Sequence, residues 1–410
     1  MHGDGTKLGT LTNNPPARLL DLTRLVRRAG RVLTGVDRVE MAYLRRLVGD
    51  DVPAFALVRT PLGYLLLDRG GMLALAQRLD GAVAWSAPGL LSRLTQGLTD
   101  VQRVALADAR RLSVARTLPR GLAAMLRRHL PQGTNYLNTG HSNLTDRVLR
   151  AAAGMGGRTA VFVHDVIPLD FPQYQRVETI EPFRAKMRRM QACADVIICN
   201  SADTLERAAR VMAQWGAVPE GIVAHLGTDL TTPQPDLVPA DLLPPAPYFI
   251  SVGTIEPRKN HALLLDLWDA MGADAPTLLI CGARGWNNEA VFARLDARTD
   301  GKVIERAGLS DGAVAALMAG SCGLLFPSFA EGYGLPPVEA AALGVPVLAN
   351  DLAVIREILG NIPVYAPVDD RYLWENTIKI MAGAGPQVRK KLAFQAPDWS
   401  DHFNTVLRSL

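Results

Sequence analysis

The alternation of short apolar runs with helical patterns constrains the fold of this chain more than any other feature of its sequence. Runs rich in aliphatic and β-branched residues occupy 19–22, 54–58, 64–67, 135–138, 159–164, 196–200 and 222–226. Between several of these runs, apolar residues three and four positions apart predict amphipathic helices, as at 37–48 and 202–215. Strands that alternate with helices are typical of βαβ units, so we expect parallel sheets covered by helices.

A proline-rich segment divides this series in two. Residues 231–248 contain six prolines, a density that breaks both helices and central strands. A second series of apolar runs follows at 248–253, 277–282, 302–308, 323–328 and 346–350. Because 410 residues exceed one ordinary core, we expect two α/β domains on either side of a cleft. The predicted divisions are an N-terminal domain (1–230), a linker (231–247), a C-terminal domain (248–390) and a C-terminal segment (391–410).

The charge is divided unequally along the chain. Residues 1–230 hold 30 Lys and Arg against 20 Asp and Glu, a net charge of +10, whereas the remainder holds 14 against 20, a net of −6. This asymmetry indicates an anionic partner for the first half. No apolar run reaches the roughly 18–20 residues of a membrane span, and the polar N-terminal residues lack a signal-peptide core. These features favour a cytoplasmic location.

The most specific motif is the nine-residue segment from Glu331 to Glu339, directly after an apolar run. Gly332 and Gly334 permit close approach of the backbone to a ligand, and the two prolines that follow suit the start of a helix. A helix N-terminus carries free N–H groups and partial positive charge, which favour phosphate. We expect Glu339 in the first turn of that helix, without the Ser or Thr partner of a capping box.

Other candidate residues also follow predicted strands. Gly253 precedes Arg258 and Lys259, a basic pair suited to neutralising a diphosphate, although such pairs are often only solvated. Gly282 and Arg284 follow the next run, and His164 ends the run at 159–164. Gly35 stands in a loop that opens a helix, where a glycine can equally be a simple turn.

These segments resemble the E-x7-E, G-x-x-x-x-x-K-N and HD-x-x-P elements of the retaining GT-B glycosyltransferases of family 4. The resemblance covers most of residues 160–400 and, more faintly, the first 50. It implies a GT-B fold with two Rossmann-like domains facing each other across a cleft. The usual serine- and proline-rich segment of the family is replaced by residues 350–357, and Trp399 resembles the start of the family's C-terminal helix, which crosses back to the first domain.

The resemblance also implies roles for individual residues. In the family, the second Glu of the motif binds the ribose, and the first Glu with its loop holds the sugar and diphosphate. The expected catalytic residues are His164, Arg258, Lys259 and Glu331. The expected donor-binding residues are Gly35, Gly253, Arg258, Lys259, Gly282, Arg284, Leu309, Glu331, Gly332, Tyr333, Gly334, Leu335 and Glu339. No carboxylate is an evident nucleophile at a suitable motif position, and the resemblance implies a front-face reaction that retains the anomeric configuration.

The expected activity is therefore transfer of a hexose from a GDP- or UDP-linked donor to a glycan or polyprenyl-diphosphate-linked acceptor. No D-x-D triplet or metal-ligand spacing occurs, so we expect no metal or other cofactor, and no nucleic-acid partner. Two alternatives share the donor motifs: a nucleotide-sugar epimerase or hydrolase, and a non-catalytic nucleotide-binding scaffold. An NAD-linked enzyme is disfavoured because no G-x-G-x-x-G follows the first strand.

Two basic segments suggest contact with an anionic membrane surface on the inner face. Arginines are interleaved with apolar residues over 110–128 and again over 183–190. Such a pattern suits a helix at a lipid interface, although it equally suits a helix with one face on the core and the other in water.

Overall fold

The computed structural model describes residues 14–87, 97–386 and 394–410. The predicted boundary between 390 and 391, and the first residues of the 1–230 domain, lie outside them.

The apolar runs of the first half form an eight-stranded sheet in the order β4-β3-β2-β1-β5-β6-β7-β8. Its strands are β1 (Arg18–Asp21), β2 (Ala54–Thr60), β3 (Gly63–Leu67), β4 (Ala115–Thr117), β5 (Asn135–Asn138), β6 (Thr159–Val163), β7 (Val196–Cys199) and β8 (Glu220–Val223). Strand β1 pairs in parallel with β2 and β5, so the strand order changes direction beside it. Strand β3 is antiparallel to β2 and to β4, which makes this sheet mixed at one edge.

The second half forms a six-stranded sheet in the order β11-β10-β9-β12-β13-β14. Its strands are β9 (Tyr248–Val252), β10 (Thr277–Cys281), β11 (Val303–Arg306), β12 (Leu324–Phe326), β13 (Val347–Ala349) and β14 (Val364–Tyr365). All of these strands pair in parallel, and the strand order changes direction between β9 and β12. Loops that follow β9 and β12 therefore leave the sheet where ligands of such folds bind.

Helices connect the strands throughout. They are α1 (Thr23–Arg28), α2 (Gly35–Val48), α3 (Arg69–Leu79), α4 (Asp100–Arg111), α5 (Leu122–His129), α6 (Asp146–Ala153), α7 (Ile167–Asp170), α8 (Val177–Cys193), α9 (Ala202–Ala213), α10 (His261–Met271), α11 (Glu289–Asp296), α12 (Asp311–Gly320), α13 (Leu335–Ala342), α14 (Ala353–Leu359), α15 (Arg371–Ala384) and α16 (Trp399–Arg408). The Ser201 hydroxyl accepts a hydrogen bond from Thr204 N at 3.0 Å and so caps α9.

The described residues group into two compact units. The first contains the described chain up to Phe162, with Ala192–Ile198 and Phe403–Leu410, and the second contains Val163–Gln191 and Cys199–His402. In the first unit, the buried Tyr43 ring packs edge-on against Phe162 and Phe403. In the second, Trp268 and Trp374 are fully buried in an aliphatic core.

The proline-rich segment has local structure of its own. It contains two short 3₁₀ turns, Pro235–Leu237 and Ala240–Leu242. Gln234 N donates to Gly312 O at 3.0 Å, and Leu242 is 1% exposed, so the segment packs within the second unit. Its role as an interdomain linker remains a prediction.

The two basic segments do not form two exposed amphipathic helices. Residues 110–128 comprise the end of α4, strand β4, a 3₁₀ turn at Pro119–Gly121 and most of α5. Residues 183–190 do lie on one helix, α8, but its Met187 and Met190 are fully buried. Those methionines pack on the protein and are not available to a lipid interface. Within the described ranges, no helix is long and apolar enough to span a membrane.

Candidate active site

The loops after β9 and β12 are joined by a buried charge cluster. Arg258 Nη1 donates to Glu331 Oε2 at 2.8 Å, and Lys259 Nζ donates to Glu331 Oε1 at 2.6 Å. Arg258 Nη1 also donates to Ala330 O at 2.9 Å. Because β9 and β12 are adjacent, their carboxyl ends place the basic pair and the acidic residue together. Three of the four predicted catalytic side chains therefore form one ion-paired group.

A tight turn in the backbone positions Arg258 and Lys259. Pro257 opens a 3₁₀ turn over Pro257–Lys259, and Asn260 follows in the left-handed region with φ of 54°. Asparagine tolerates that conformation better than most residues. Phe329 N donates to Arg258 O at 2.8 Å, which joins the two loops through their backbones.

Sequence reasoning missed a second carboxylate in the cluster. Glu256 is 3% exposed, and its Oε1 accepts from Arg258 Nη2 at 2.7 Å. Among the described residues, Glu256 Oε2 has no hydrogen-bond partner. The only sequence signal was its position, since Glu256 lies two residues before Arg258 in the same loop after β9.

Burial and charge oppose each other in setting the protonation of this cluster. Burial raises the pKa of Glu331, but Arg258 and Lys259 outweigh it and lower the pKa to about 2. Burial lowers the pKa of Lys259, although Glu331 opposes the shift. Burial also raises the pKa of Glu256, against the influence of Arg258. Glu331 is therefore an ionised carboxylate that holds two cations in place.

Packing within the protein explains both glycines of the acidic motif. A Cβ on Gly332 would stand 2.5 Å from His164 O, and a Cβ on Gly334 would stand 2.4 Å from Ile355 Cδ1. Gly334 also has φ of 94° and directly precedes α13. The hydroxyl of Tyr333, which is 5% exposed, donates to Leu226 O at 3.0 Å. The loop is therefore fixed by the protein itself.

The start of α13 differs from the prediction for Glu339. The helix begins at Leu335, so Glu339 is its fifth residue and lies in the second turn. Pro336 and Pro337 have no N–H, and the N-cap residue Gly334 has no side chain that could cap the helix. The expectation of a first-turn carboxylate was wrong because the helix begins at Leu335, one residue before the first proline. Glu339 is half-buried.

The remaining predicted donor residues of the second unit are spread over further loops. Gly282 packs closely on Gly253, since a Cβ on it would stand 1.8 Å from Gly253 O. A Cβ on Gly253 would stand 3.4 Å from Lys259 Cε, which brings Gly253 next to the cluster. Arg284 forms ion pairs with Asp296 at 2.6 Å and Glu305 at 2.7 Å. Leu309 is half-buried in the loop after β11.

His164 follows the end of β6 and belongs to the same unit as the charge cluster. It is 7% exposed, and its carbonyl accepts a hydrogen bond from Asn200 Nδ2 at 3.0 Å. The next residue, Asp165, lines a small pocket of about 30 Å³ together with Glu331, Phe171 and Arg207. Burial raises the pKa of Asp165, against the influence of Arg258.

Two predicted features have local structural roles. Gly35 lies in the first unit as the first residue of α2, where Thr34 Oγ1 donates to Asp37 Oδ2 at 2.7 Å. In the altered segment 350–357, Glu357 accepts hydrogen bonds from Ala202 N at 2.7 Å and Asp203 N at 3.1 Å. That carboxylate therefore stabilises the positive end of α9. Within the described ranges, no group of three or more side chains is arranged to hold a metal ion.

Comparison with solved structures defines the class of fold. The structure of HepE from Anabaena in complex with UDP-glucose is similar over 95% of this chain and 95% of its own, with a TM-score of 0.59. The two sequences are only 14% identical, so this similarity concerns the fold alone. The predicted fold class is confirmed: the chain has the α/β GT-B fold, with two Rossmann-like domains.

Sequence comparison narrows the relationship. Residues 240–369 match the family described as "Glycosyl transferases group 1". The serotype-specific mannosyltransferase WbdA of Escherichia coli is 33% identical over 228 residues, which is 51% of this chain and 28% of WbdA. The O-antigen chain mannosyltransferase RfbU of Salmonella typhimurium is 29% identical over 132 residues, 32% of this chain and 37% of RfbU. The chain thus spans well under half the length of these curated relatives.

Proposed function

We propose that the protein is a retaining glycosyltransferase of family 4, which transfers a hexose from a nucleoside-diphosphate sugar to a glycan or polyprenyl-diphosphate-linked acceptor in cell-surface polysaccharide synthesis. The region that matches the glycosyltransferase family encloses Arg258, Lys259, Glu331 and Glu339. Two relatives are named as mannosyltransferases, and one of them as acting on an O-antigen chain. Both the fold and these names support the proposal.

The observation that carries this proposal is the buried cluster of Arg258, Lys259 and Glu331 at the point where the strand order changes. The side chains of all three residues are no more than 20% exposed. Preorganised cations in a site of low polarity stabilise charge that develops on a leaving group without further reorganisation. A departing nucleoside diphosphate is such a leaving group, so the cluster suits this chemistry.

Each residue has a separate role in the proposed mechanism. Arg258 and Lys259 stabilise the diphosphate, and Glu331 positions both cations and the donor sugar. Glu339 binds the ribose, and His164 contacts the sugar. The acceptor oxygen attacks on the face from which the diphosphate leaves, and a diphosphate oxygen accepts its proton. The reaction uses no metal ion.

GDP-mannose is our first choice of donor because both relatives are named mannosyltransferases. HepE, solved with UDP-glucose, supports a UDP-hexose as the second choice. We also propose a cytoplasmic location.

A panel of nucleotide sugars tests the proposal. The true donor should raise the melting temperature by mass action, and a labelled hexose should then appear on an added glycan acceptor with its anomeric configuration kept. EDTA should leave the rate unchanged. Arg258→Gln should abolish transfer, whereas Arg184→Gln, at an exposed ion pair with Glu181, is the matched control. Isomerised or hydrolysed donor without transfer would favour an epimerase or hydrolase, and binding without turnover would favour a scaffold.

A further inference from the structure

A groove rich in arginine lies in the first unit and contains none of the predicted catalytic or donor-binding residues. It is open to solvent and has a volume of about 620 Å³. We call it the arginine groove and define it by Arg59, Tyr64, Arg120, Arg147 and Arg150, which line it together with one carboxylate, Asp146. Every one of these residues belongs to the first unit.

The sheet register explains how these side chains come together. Arg59 stands directly opposite Tyr64 across β2 and β3, and Tyr64 stands opposite Thr117 across β3 and β4. Residues directly opposite each other in antiparallel strands point to the same face of the sheet. Arg120 follows β4 in a 3₁₀ turn, and Arg147 lies in the first turn of α6.

The charge of the groove is not neutralised. Among the described residues, Arg59, Arg120 and Arg147 form no ion pair, whereas other arginines of this unit pair with Asp37 or Asp108. Arg150 approaches Asp146 only at 3.9 Å, and both side chains are more than 60% exposed. Four arginines against one aspartate give a formal charge of +3. The phenol of Tyr64 also lines the groove, although the residue is only 2% exposed.

The groove lies at the edge of the sheet where ligands of parallel α/β folds bind. Arg59 is the penultimate residue of β2, and α6 follows the loop that leaves β5. Both strands run parallel to β1, so the carboxyl ends of β2 and β5 lie at the same edge. Substrates of open parallel sheets bind beyond this edge.

We infer that the arginine groove binds a phosphate or diphosphate group of the acceptor. One planar guanidinium group can donate two parallel hydrogen bonds to two oxygens of the same phosphate. Several arginines around one groove therefore suit a diphosphate better than a neutral sugar. The volume admits a diphosphate together with an attached saccharide. The proposal that this ligand is the acceptor rests on the proposed glycosyltransferase function. The proposal that the groove binds an oxyanion does not depend on that function.

The lining favours a discrete phosphate group over a lipid surface. Its large aliphatic residue, Leu122, is 1% exposed, so the lining offers little apolar area for insertion into a bilayer. Docking of the groove on anionic lipid is therefore the less favoured alternative.

Hydrogen–deuterium exchange with inorganic pyrophosphate tests the inference without any turnover. Pyrophosphate should slow exchange in peptides covering 117–124 and 143–152 of the full-length protein. Calorimetry should show binding about tenfold weaker for Arg147→Gln and at least about fiftyfold weaker for the double variant R59Q/R147Q, since each removes a charged hydrogen bond. Arg128→Gln is the matched control because Arg128 is exposed on α5 outside the groove. Thermal unfolding establishes that each variant is folded.

Four results are informative. Unchanged exchange in those peptides with pyrophosphate, or wild-type affinity in R59Q/R147Q, would overturn the inference. Binding to vesicles with 30% anionic lipid that is lost in R59Q/R147Q, without any protection by pyrophosphate, would replace it with membrane docking. Protection by pyrophosphate in a protein that transfers no sugar would refute the proposed function and leave the groove as an oxyanion site. A soluble glycosyl diphosphate that binds more tightly than pyrophosphate would extend the site to the acceptor saccharide.

Discussion

Replacement of Glu331 by glutamine should destabilise the second unit in a way that depends on pH. The pKa of Glu331 falls from its ordinary value of 4.5 to about 2 in the folded protein. At about 1.4 kcal/mol per pH unit, this difference corresponds to about 3 kcal/mol of folding free energy at pH 7. The side chain is 6% exposed, so solvent screening reduces this free energy only slightly.

The sign of the pH dependence follows from the direction of the shift. Because the folded state lowers the pKa of Glu331, its contribution is complete above pH 4.5 and is lost as the pH falls towards 2. The difference in unfolding free energy between wild type and Glu331→Gln should therefore shrink from about 3 kcal/mol at pH 7 to about 1.4 kcal/mol at pH 3. Burial also lowers the pKa of Lys259, and that pKa should fall further once its partner carboxylate is removed.

Urea unfolding measured by tryptophan fluorescence suits this prediction, since Trp268 and Trp374 are both fully buried in the second unit. Glu181→Gln is the matched control because it removes an exposed carboxylate whose pair with Arg184 should contribute less than about 1 kcal/mol. A difference between wild type and Glu331→Gln that stays constant from pH 7 to pH 3 would refute the electrostatic explanation.

Three further predictions concern the proposed reaction. Arg258→Ala and Lys259→Ala should lower kcat more than they raise the KM for the donor, because leaving-group charge grows in the transition state; steady-state kinetics with an effect on KM alone would reduce the pair to binding residues. Glu339→Ala should weaken binding of the nucleoside diphosphate by about 1.5–3 kcal/mol, the range for a charged hydrogen bond to ribose, and unchanged affinity by calorimetry would exclude that role. His164→Ala should reduce turnover and leave nucleotide affinity nearly intact, whereas a fall in melting temperature with loss of all binding would mean that this buried side chain supports the fold.

Much of the fold could be predicted from periodicity because the buried strands are continuous apolar runs. All seven runs predicted in the first half and all five in the second correspond to strands. Strands β4 and β14, of three and two residues, were missed. Such short edge strands form through pairing with a neighbour, and their own sequences contain too few residues for a period of two to be visible.

The candidate site was less predictable because its contacts join residues far apart in sequence. The motifs identified Arg258, Lys259 and Glu331 separately, but their ion pairs span about 72 residues. Glycines 332 and 334 illustrate a second limit. Their proximity to His164 and Ile355 is a tertiary contact, and a sequence pattern cannot distinguish it from close approach to a ligand.

The arginines of the two units differ in how far nearby carboxylates neutralise their charge. This difference should affect how each unit binds a phosphate. In the second unit, Arg258 and Lys259 are balanced by Glu331 and Glu256, so the four groups sum to zero formal charge. A nucleoside diphosphate bound there would compete with Glu331 for both cations, which gives that carboxylate a direct part in setting donor affinity. In the arginine groove of the first unit, no comparable set of carboxylates is present among the described lining residues, and the formal charge is +3. Affinity for phosphate should therefore fall with salt more steeply at the groove, which is open and charged, than at the buried, balanced cluster.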